Sequence, residues 1–321
     1  MGWTSLREQS AEAVFRIGAM RTFLALIALS CATTIAGAQT KGLDEEIRNT
    51  IQTFPGRVSL YAKNLATGQS YGVSAKEPVR TASTIKLAIM IECFFEAAEG
   101  KLKWTEPLTL KNEEKVSGTG VLQDLSDGDQ LPIRDVVDLM IVLSDNTATN
   151  LILNRIGGNA VNKRMARLGL EQTRVMRKII GNGTQGQTHV SGVTEEGAKP
   201  ENKKWGLGRS SPFEMVMLLE KLHRGEMISR DASNEMLAVL KKQRDHNCIG
   251  RSMKDVTVAS KSGALDHLRS DVGIVYTKTA PIAMAISVED IPEINYTPDN
   301  PGDLLISALS EMLVTQLANS R

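Results

Sequence analysis

Ser83 and Lys86 lie three residues apart at the head of an apolar stretch running from Thr84 to Ala98. At the start of a helix this spacing puts both side chains on one face, one turn apart. A serine hydroxyl is a weak nucleophile until a base removes its proton. A lysine buried among apolar groups has its pKa lowered and can be that base. The helix start also offers backbone N–H groups to a developing oxyanion. Taken alone, a serine followed by a lysine one turn later is common on helix surfaces and reads first as that.

Two further strings carry polar groups of the right kind, and each occurs once in the chain. Ser144-Asp145-Asn146 interrupts a second apolar helix. Three short polar residues there serve as a cap or turn, because their side chains bond to nearby backbone. As chemistry, Ser144 is a proton relay to a leaving group, Asn146 a donor to a substrate amide and Asp145 a brace for the turn. Lys261-Ser262-Gly263 ends a strand. Its lysine and hydroxyl suit a substrate carboxylate, and its glycine lets a ligand backbone lie against the strand edge. Read structurally, it is a strand-to-turn exit.

The elements around these strings follow from periodicity. Leu43, Ile47 and Ile51 mark an amphipathic first helix. Val58, Leu60 and Ala62 alternate, Thr67-Gly68 turns, and residues 69–73 return, which predicts a hairpin. The stretch from Thr84 to Ala98 is apolar on nearly every side and predicts a buried central helix ended by Gly100. A helix after Pro132 carries Val136, Val137, Met140 and Ile141, and another runs from about Ala148 to Ile156. Residues 178–210 are the longest irregular stretch, and helix returns after Ser211-Pro212. The C-terminal part reads as three strands and a closing helix, Leu304 to Leu317. Strands near both ends with helices between them predict an α/β (α+β type) fold. One antiparallel five-stranded sheet is flanked by helices and carries an inserted all-helical domain. The expected division is 39–82 plus 212–321 for the α/β domain and 83–211 for the helical one.

With 38 basic against 37 acidic residues and 4% aromatics, the chain has neither the basic excess nor the stacking surface of a nucleic-acid binder. Arg21, the apolar run Phe23 to Leu29 and the Ala36-Gly37-Ala38 site read as a signal peptide over residues 1–38, with Met20 as the biological start. That predicts a secreted or periplasmic protein with no stable membrane insertion after cleavage. Cys93 and Cys248 can pair in an exported chain, while Cys93 inside an apolar run also reads as a small buried hydrophobe. The four histidines show no metal-ligand spacing, and no cofactor is expected.

The combination of the three strings is far more specific than any one of them. S-x-x-K, S-D-N and K-[ST]-G in this order resemble the serine β-lactamase and penicillin-binding protein superfamily, and the class A β-lactamases most closely, over about residues 42–318. Ser117-Gly-Thr-Gly-Val-Leu122 is similar to the family's pocket-edge segment, and Leu168-Gly169 with Thr173-Arg174 to the lead-in of its omega loop. The resemblance implies that Ser83 is acylated, with Lys86 as base and Ser144 as relay to the leaving nitrogen. It assigns Asn146 to the substrate amide, Lys261 and Ser262 to the substrate carboxylate, and the N–H groups of Ser83 and Ala264 to the oxyanion. It implies β-lactam antibiotics or a peptidoglycan stem peptide as partners of a monomer.

The resemblance fails at one place. Class A enzymes carry an omega-loop glutamate that activates the deacylating water, and the corresponding position falls near Ile179, in Lys178-Ile179-Ile180. Glu195, Glu196 and Glu201 lie in the extended loop beyond it. The family's arginine after the third string has no counterpart in register, Arg269 being the nearest. The implied activity is a secreted serine β-lactamase-like hydrolase. The alternatives are a D,D-peptidase or penicillin-binding protein, or a sensor acylated with little turnover.

Overall fold

The computed structural model describes residues 42, 44–180 and 192–319. The segment expected to be a signal peptide and part of the extended loop lie outside the described residues. Two compact units divide the chain near Gln52. In the first, residues 44–52 form α1.

The second unit, from Thr53 to Asn319, is built on a five-stranded antiparallel sheet. Its strands are β1 (Arg57–Asn64), β2 (Ser70–Val73), β3 (Thr257–Leu265), β4 (Leu268–Tyr276) and β5 (Pro281–Glu289), in the order β2-β1-β5-β4-β3. β4 and β5 are buried along almost their whole length; β5 is a near-continuous apolar run, while β4 takes Arg269, Ser270 and Asp271 into the buried layer. Helices α6 (Pro212–Arg224) and α8 (Pro301–Asn319) pack on this sheet.

The helical elements are α2 (Lys86–Ala98), α3 (Ile133–Val142), α4 (Asn146–Ile156), α5 (Gly158–Arg167) and α7 (Arg230–Leu240). α2 is buried over most of its circumference and touches α3, α4, α5 and α7, as its unbroken apolar sequence requires. Neither α5 nor α7 stood out in the sequence. α5 has an amphipathic pattern diluted by asparagine and basic residues, and α7 begins in the polar run after Ser229, which caps it.

A small three-stranded sheet joins distant parts of the chain. Val79–Arg80 pairs with Gly208–Ser210, which pairs with Arg174–Val175. It clamps both ends of the extended loop next to the segment leading into Ser83. The N-cap Ser211 and Pro212 start α6 as their sequence predicts. The carboxylate of Glu214 then accepts the backbone N–H groups of Gln172 and Thr173 at 2.8–3.0 Å and pins the loop's entry.

Candidate active site

Ser83 sits in a 3-10 turn, Ala82–Ile85, and Lys86 is the first residue of α2. In 3-10 geometry residues i and i+3 eclipse, which aligns the two side chains more closely than an α-helical start would. Ser83 is half-buried, while Thr81, Ala82 and the residues from Thr84 to Phe94 are buried. The turn is therefore a core element that presents one hydroxyl. Ala82 is held at φ 47°, a left-handed conformation costly for alanine, and this fixes the entry to the turn.

Lys86 is fully buried. Its ammonium nitrogen donates to the carbonyl of Ser144 at 2.7 Å, to Asn146 Oδ1 at 3.1 Å and to Ser144 Oγ at 3.2 Å. Burial holds its pKa well below the ordinary lysine value, and the positive charge of Lys261 lowers it further. The first two strings thus meet through the lysine.

Ser144 lies between α3 and α4 at φ 54°, and Asp145 follows as the N-cap of α4. The buried Asp145 carboxylate accepts N–H groups from Ala148 at 2.8 Å, Val121 at 2.7 Å and Leu122 at 2.9 Å. It caps a helix and docks the 117–122 segment at once. That segment needs its glycines here: a Cβ on Gly120 would meet Asp145 at 2.3 Å and one on Gly118 would meet Asn146 Nδ2 at 2.8 Å. Asn146 is tied to the same segment through Ser117 O at 3.3 Å and Thr119 O at 2.9 Å.

β3 is an edge strand that runs past the Ser83 turn. Lys261 is fully buried, donates to the Ser262 carbonyl at 2.7 Å, and has its pKa lowered by burial to about 8. Ser262 is buried and donates its hydroxyl to Asp245. The reason for glycine at 263 differs from the sequence reading. A Cβ there would meet Thr81 O at 2.9 Å, Ser83 N at 3.0 Å and Ala82 Cβ at 3.1 Å, so the missing side chain makes room for the Ser83 turn itself. Ala264, next along the edge, is exposed.

Lys86, Ser144 and Asn146 thus converge, with Ser83 one turn before Lys86, Lys261 close enough to depress the Lys86 pKa and Gly263 against the Ser83 backbone. Arg269 faces Ala264 across the strands, and its guanidinium goes to the carbonyls of Leu265, Leu268 and Asn295 and to Asp303. His267 is bonded to the Ile291 carbonyl at 2.7 Å. Glu196 pairs with Lys199 at 2.6 Å within its own segment, and Glu195 accepts from Asn159 of α5 at 3.1 Å. Cys93 and Cys248 are free and buried, and Cys248 Sγ bonds to Asp303 Oδ1 at 3.0 Å.

Sequence reasoning did not single out Asp245, Asp271 or Asn150. Asp245 lies in a polar stretch with no periodic signal. Asp271 is the one acid of the buried strand β4, and that was the available clue. Its pKa is raised to about 7 by burial.

A fold of this kind, with a buried lysine joining a serine turn to an S-D-N turn, defines a serine acyl-transfer scaffold. The chain belongs to the Beta-lactamase enzyme family, whose model matches residues 42–317. It is 28% identical over 159 residues to the imipenem-hydrolyzing beta-lactamase of Enterobacter cloacae, covering 48% of this chain and 54% of that protein. It is 25% identical over 247 residues to beta-lactamase ROB-1 of Haemophilus influenzae, covering 75% of each. Among solved structures, a beta-lactamase from Sphaerobacter thermophilus superposes with a TM-score of 0.73 at 27% identity, covering 85% of this chain and 96% of that one. PBP-A gives 0.73 at 26%, covering 85% and 95%, and a variant of it was solved as an acyl-enzyme with penicillin G.

Proposed function

We propose that the protein is a serine β-lactamase-like hydrolase that opens β-lactam rings through an acyl-enzyme on Ser83. The observation that carries this is the fully buried Lys86 amine, depressed in pKa, one eclipsed turn from a half-buried serine and bonded to Ser144.

In this reading neutral Lys86 takes the Ser83 proton as Oγ attacks the lactam carbonyl carbon. The tetrahedral oxyanion is held by the N–H groups of Ser83 and Ala264. The ring C–N bond then breaks. Ser144 Oγ gives its proton to the leaving nitrogen and is resupplied from Lys86. Asn146 orients the substrate amide, and Lys261 with Ser262 forms the far end of the cleft. Water finally cleaves the ester. The expected division into an α/β domain and an inserted helical domain, export to the periplasm and a monomeric state belong to the same proposal.

A second reading is favoured by one specific feature, Ile179 at the omega-loop position. The β-lactam acyl-enzyme is then released slowly, as in a penicillin-binding protein, and the substrate that is turned over is a peptidoglycan stem peptide. Intact-protein mass spectrometry with penicillin G tests both. A transient adduct with product accumulation indicates turnover, and a lasting adduct indicates stalling. No adduct, or an equal one in Ser83→Ala, overturns the acyl-enzyme.

A further inference from the structure

We propose that Thr81 and Ser287 are positioning residues for Ser83, joined by one internal water molecule that ties the serine turn to β5, the central strand of the sheet. The water site stands on packing alone. Its effect on Ser83 rests on the acylation reading above.

Strand register makes the place. Gly263 of β3 is opposite Ser270 of β4, Ser270 opposite Ser287 of β5, and Ser287 opposite Ser59 of β1. Directly opposed residues share a face of the sheet, so this row of small residues crosses four strands on one face. The Ser83 turn lies against the row, because a Cβ on Gly263 would meet the backbone of Thr81 and Ser83. A cavity of about 10 Å³ lies there, with Thr81, Thr84, Ser210, Ser211, Ser270 and Ser287 among its lining. All six are buried, and among the described residues no charged side chain lines the cavity.

Three of these hydroxyls are already bonded. Thr84 Oγ1 donates to Thr81 O at 2.8 Å, Ser210 Oγ is bonded to Thr173 Oγ1 at 2.8 Å, and Ser211 Oγ accepts the Glu214 N–H at 3.3 Å. Thr81 Oγ1 and Ser287 Oγ differ. Both are buried, and neither has a hydrogen-bond partner among the described residues. The backbone of Thr81 is satisfied, its N–H by Gly208 O at 3.0 Å and its carbonyl by the Thr84 N–H at 3.1 Å. The hydroxyl is therefore the group in surplus, and burying it unbonded is costly. An internal water needs a polar site of at least about 10 Å³ and two or more polar partners. The cavity has that size, and the partners come one from the turn and one from the sheet. Its uncharged lining suits a neutral guest rather than an ion.

The bridge acts where the turn is strained. Thr81 precedes Ala82, whose φ of 47° persists only while its neighbours hold it. Anchoring Thr81 to β5 through the water fixes the entry to the turn, and with it the direction of the Ser83 hydroxyl.

The test is a double-mutant cycle on the whole chain. Thr81→Val and Ser287→Ala each remove one hydroxyl with little change of shape, and denaturant unfolding gives the folding equilibrium constant of each variant. Hydroxyls that share a water do not act independently. The loss in the double variant is expected to be smaller than the product of the single losses by about twofold or more. A departure of less than about twofold overturns the proposal, because the two side chains then share no partner. Acylation by penicillin G reads the positioning role. Thr81→Val is expected to slow it about fivefold, while Thr81→Ser, which keeps the hydroxyl, stays within about twofold of wild type. A Thr81→Ser rate as low as that of Thr81→Val, or an unslowed Thr81→Val, overturns that role. Should the variants not fold, a high-resolution crystal structure of the wild type decides. Solvent density within hydrogen-bond distance of both Thr81 Oγ1 and Ser287 Oγ supports the proposal, and its lack overturns it. No adduct in wild type overturns the acylation reading, and the unfolding cycle still decides the water site.

Discussion

Asn150 grips Ile179 with both ends of its side-chain amide. Its Nδ2 donates to the Ile179 carbonyl and its Oδ1 accepts the Ile179 N–H, each at 2.9 Å. Asn150 belongs to α4, whose first residue, Asn146, touches Lys86. One short helix thus connects the lysine with Ile179, near which the sequence resemblance expects the family's deacylating carboxylate.

That connection makes Ile179→Glu a direct test of the deacylation half of the reaction. The backbone anchor is retained, so the new carboxylate enters on a fixed frame. The acyl-enzyme lifetime is expected to shorten at least about tenfold, within the range for a positioned general base. Decay of the penicillin G adduct measures it. An unchanged lifetime would show that Ile179 does not stand in the water-activating position.

Removing the base is the converse experiment. Lys86→Met replaces a buried amine by an apolar chain of similar length, and the fold is expected to persist by circular dichroism. Acylation is expected to slow by about 100-fold or more. Rates within threefold of wild type would exclude Lys86 as the proton acceptor.

The pH profile of acylation follows from two buried lysines of opposite task. Lys86 must be neutral to act, and burial, with the charge of Lys261, lowers its pKa well below the ordinary lysine value and so favours that form. Lys261 must be charged to contribute positive potential, and it loses its proton as pH rises through about 8. Acylation is expected to fall above about pH 8, and Lys261→Arg is expected to carry activity to higher pH. For stability the sign is opposite. The folded pKa lies below the unfolded one, so the unfolded chain binds more protons between the two values. The burial penalty of Lys261 is full below about pH 8 and relieved as pH rises towards 10.5. An alkaline limb unmoved by Lys261→Arg would sink the assignment.

Gly263→Ala adds a methyl against the backbone of Thr81 and Ser83. Because these atoms belong to a buried turn, the strain cannot be relieved by a side-chain rotation. The expected loss is about 1–3 kcal/mol in thermal or chemical unfolding, with acylation reduced at least about tenfold. Wild-type stability and rate together would show that β3 does not press on the turn.

Asp145→Ala removes the acceptor of three buried or half-buried N–H groups, at Ala148, Val121 and Leu122. The expected cost is about 2–4 kcal/mol, a lost cap plus unsatisfied donors, measured by denaturant unfolding. A loss below about 0.5 kcal/mol would show that the 117–122 segment is held by other contacts.

What the amino-acid sequence determined by itself is what short-range spacing can carry. A serine three residues before a lysine, a polar break in an apolar helix and a lysine at a strand's end are local patterns. So are the alternation of β1 and the apolar girth of α2, and these were enough for the family and the five-stranded sheet. The tertiary structure alone decided the rest. It made the Ser144 carbonyl a lysine acceptor, explained Gly263 by the turn behind it, and set Asn150 under Ile179. Strand register placed Asp271 rather than Arg269 opposite Ser262, and a polar loop after α7 delivered Asp245 to the Ser262 hydroxyl. Register and loop placement are set by how whole faces bury against one another. No residue spacing near Asp245 or Asp271 records which hydroxyl they will meet, because the partner is chosen by packing between elements far apart in the chain.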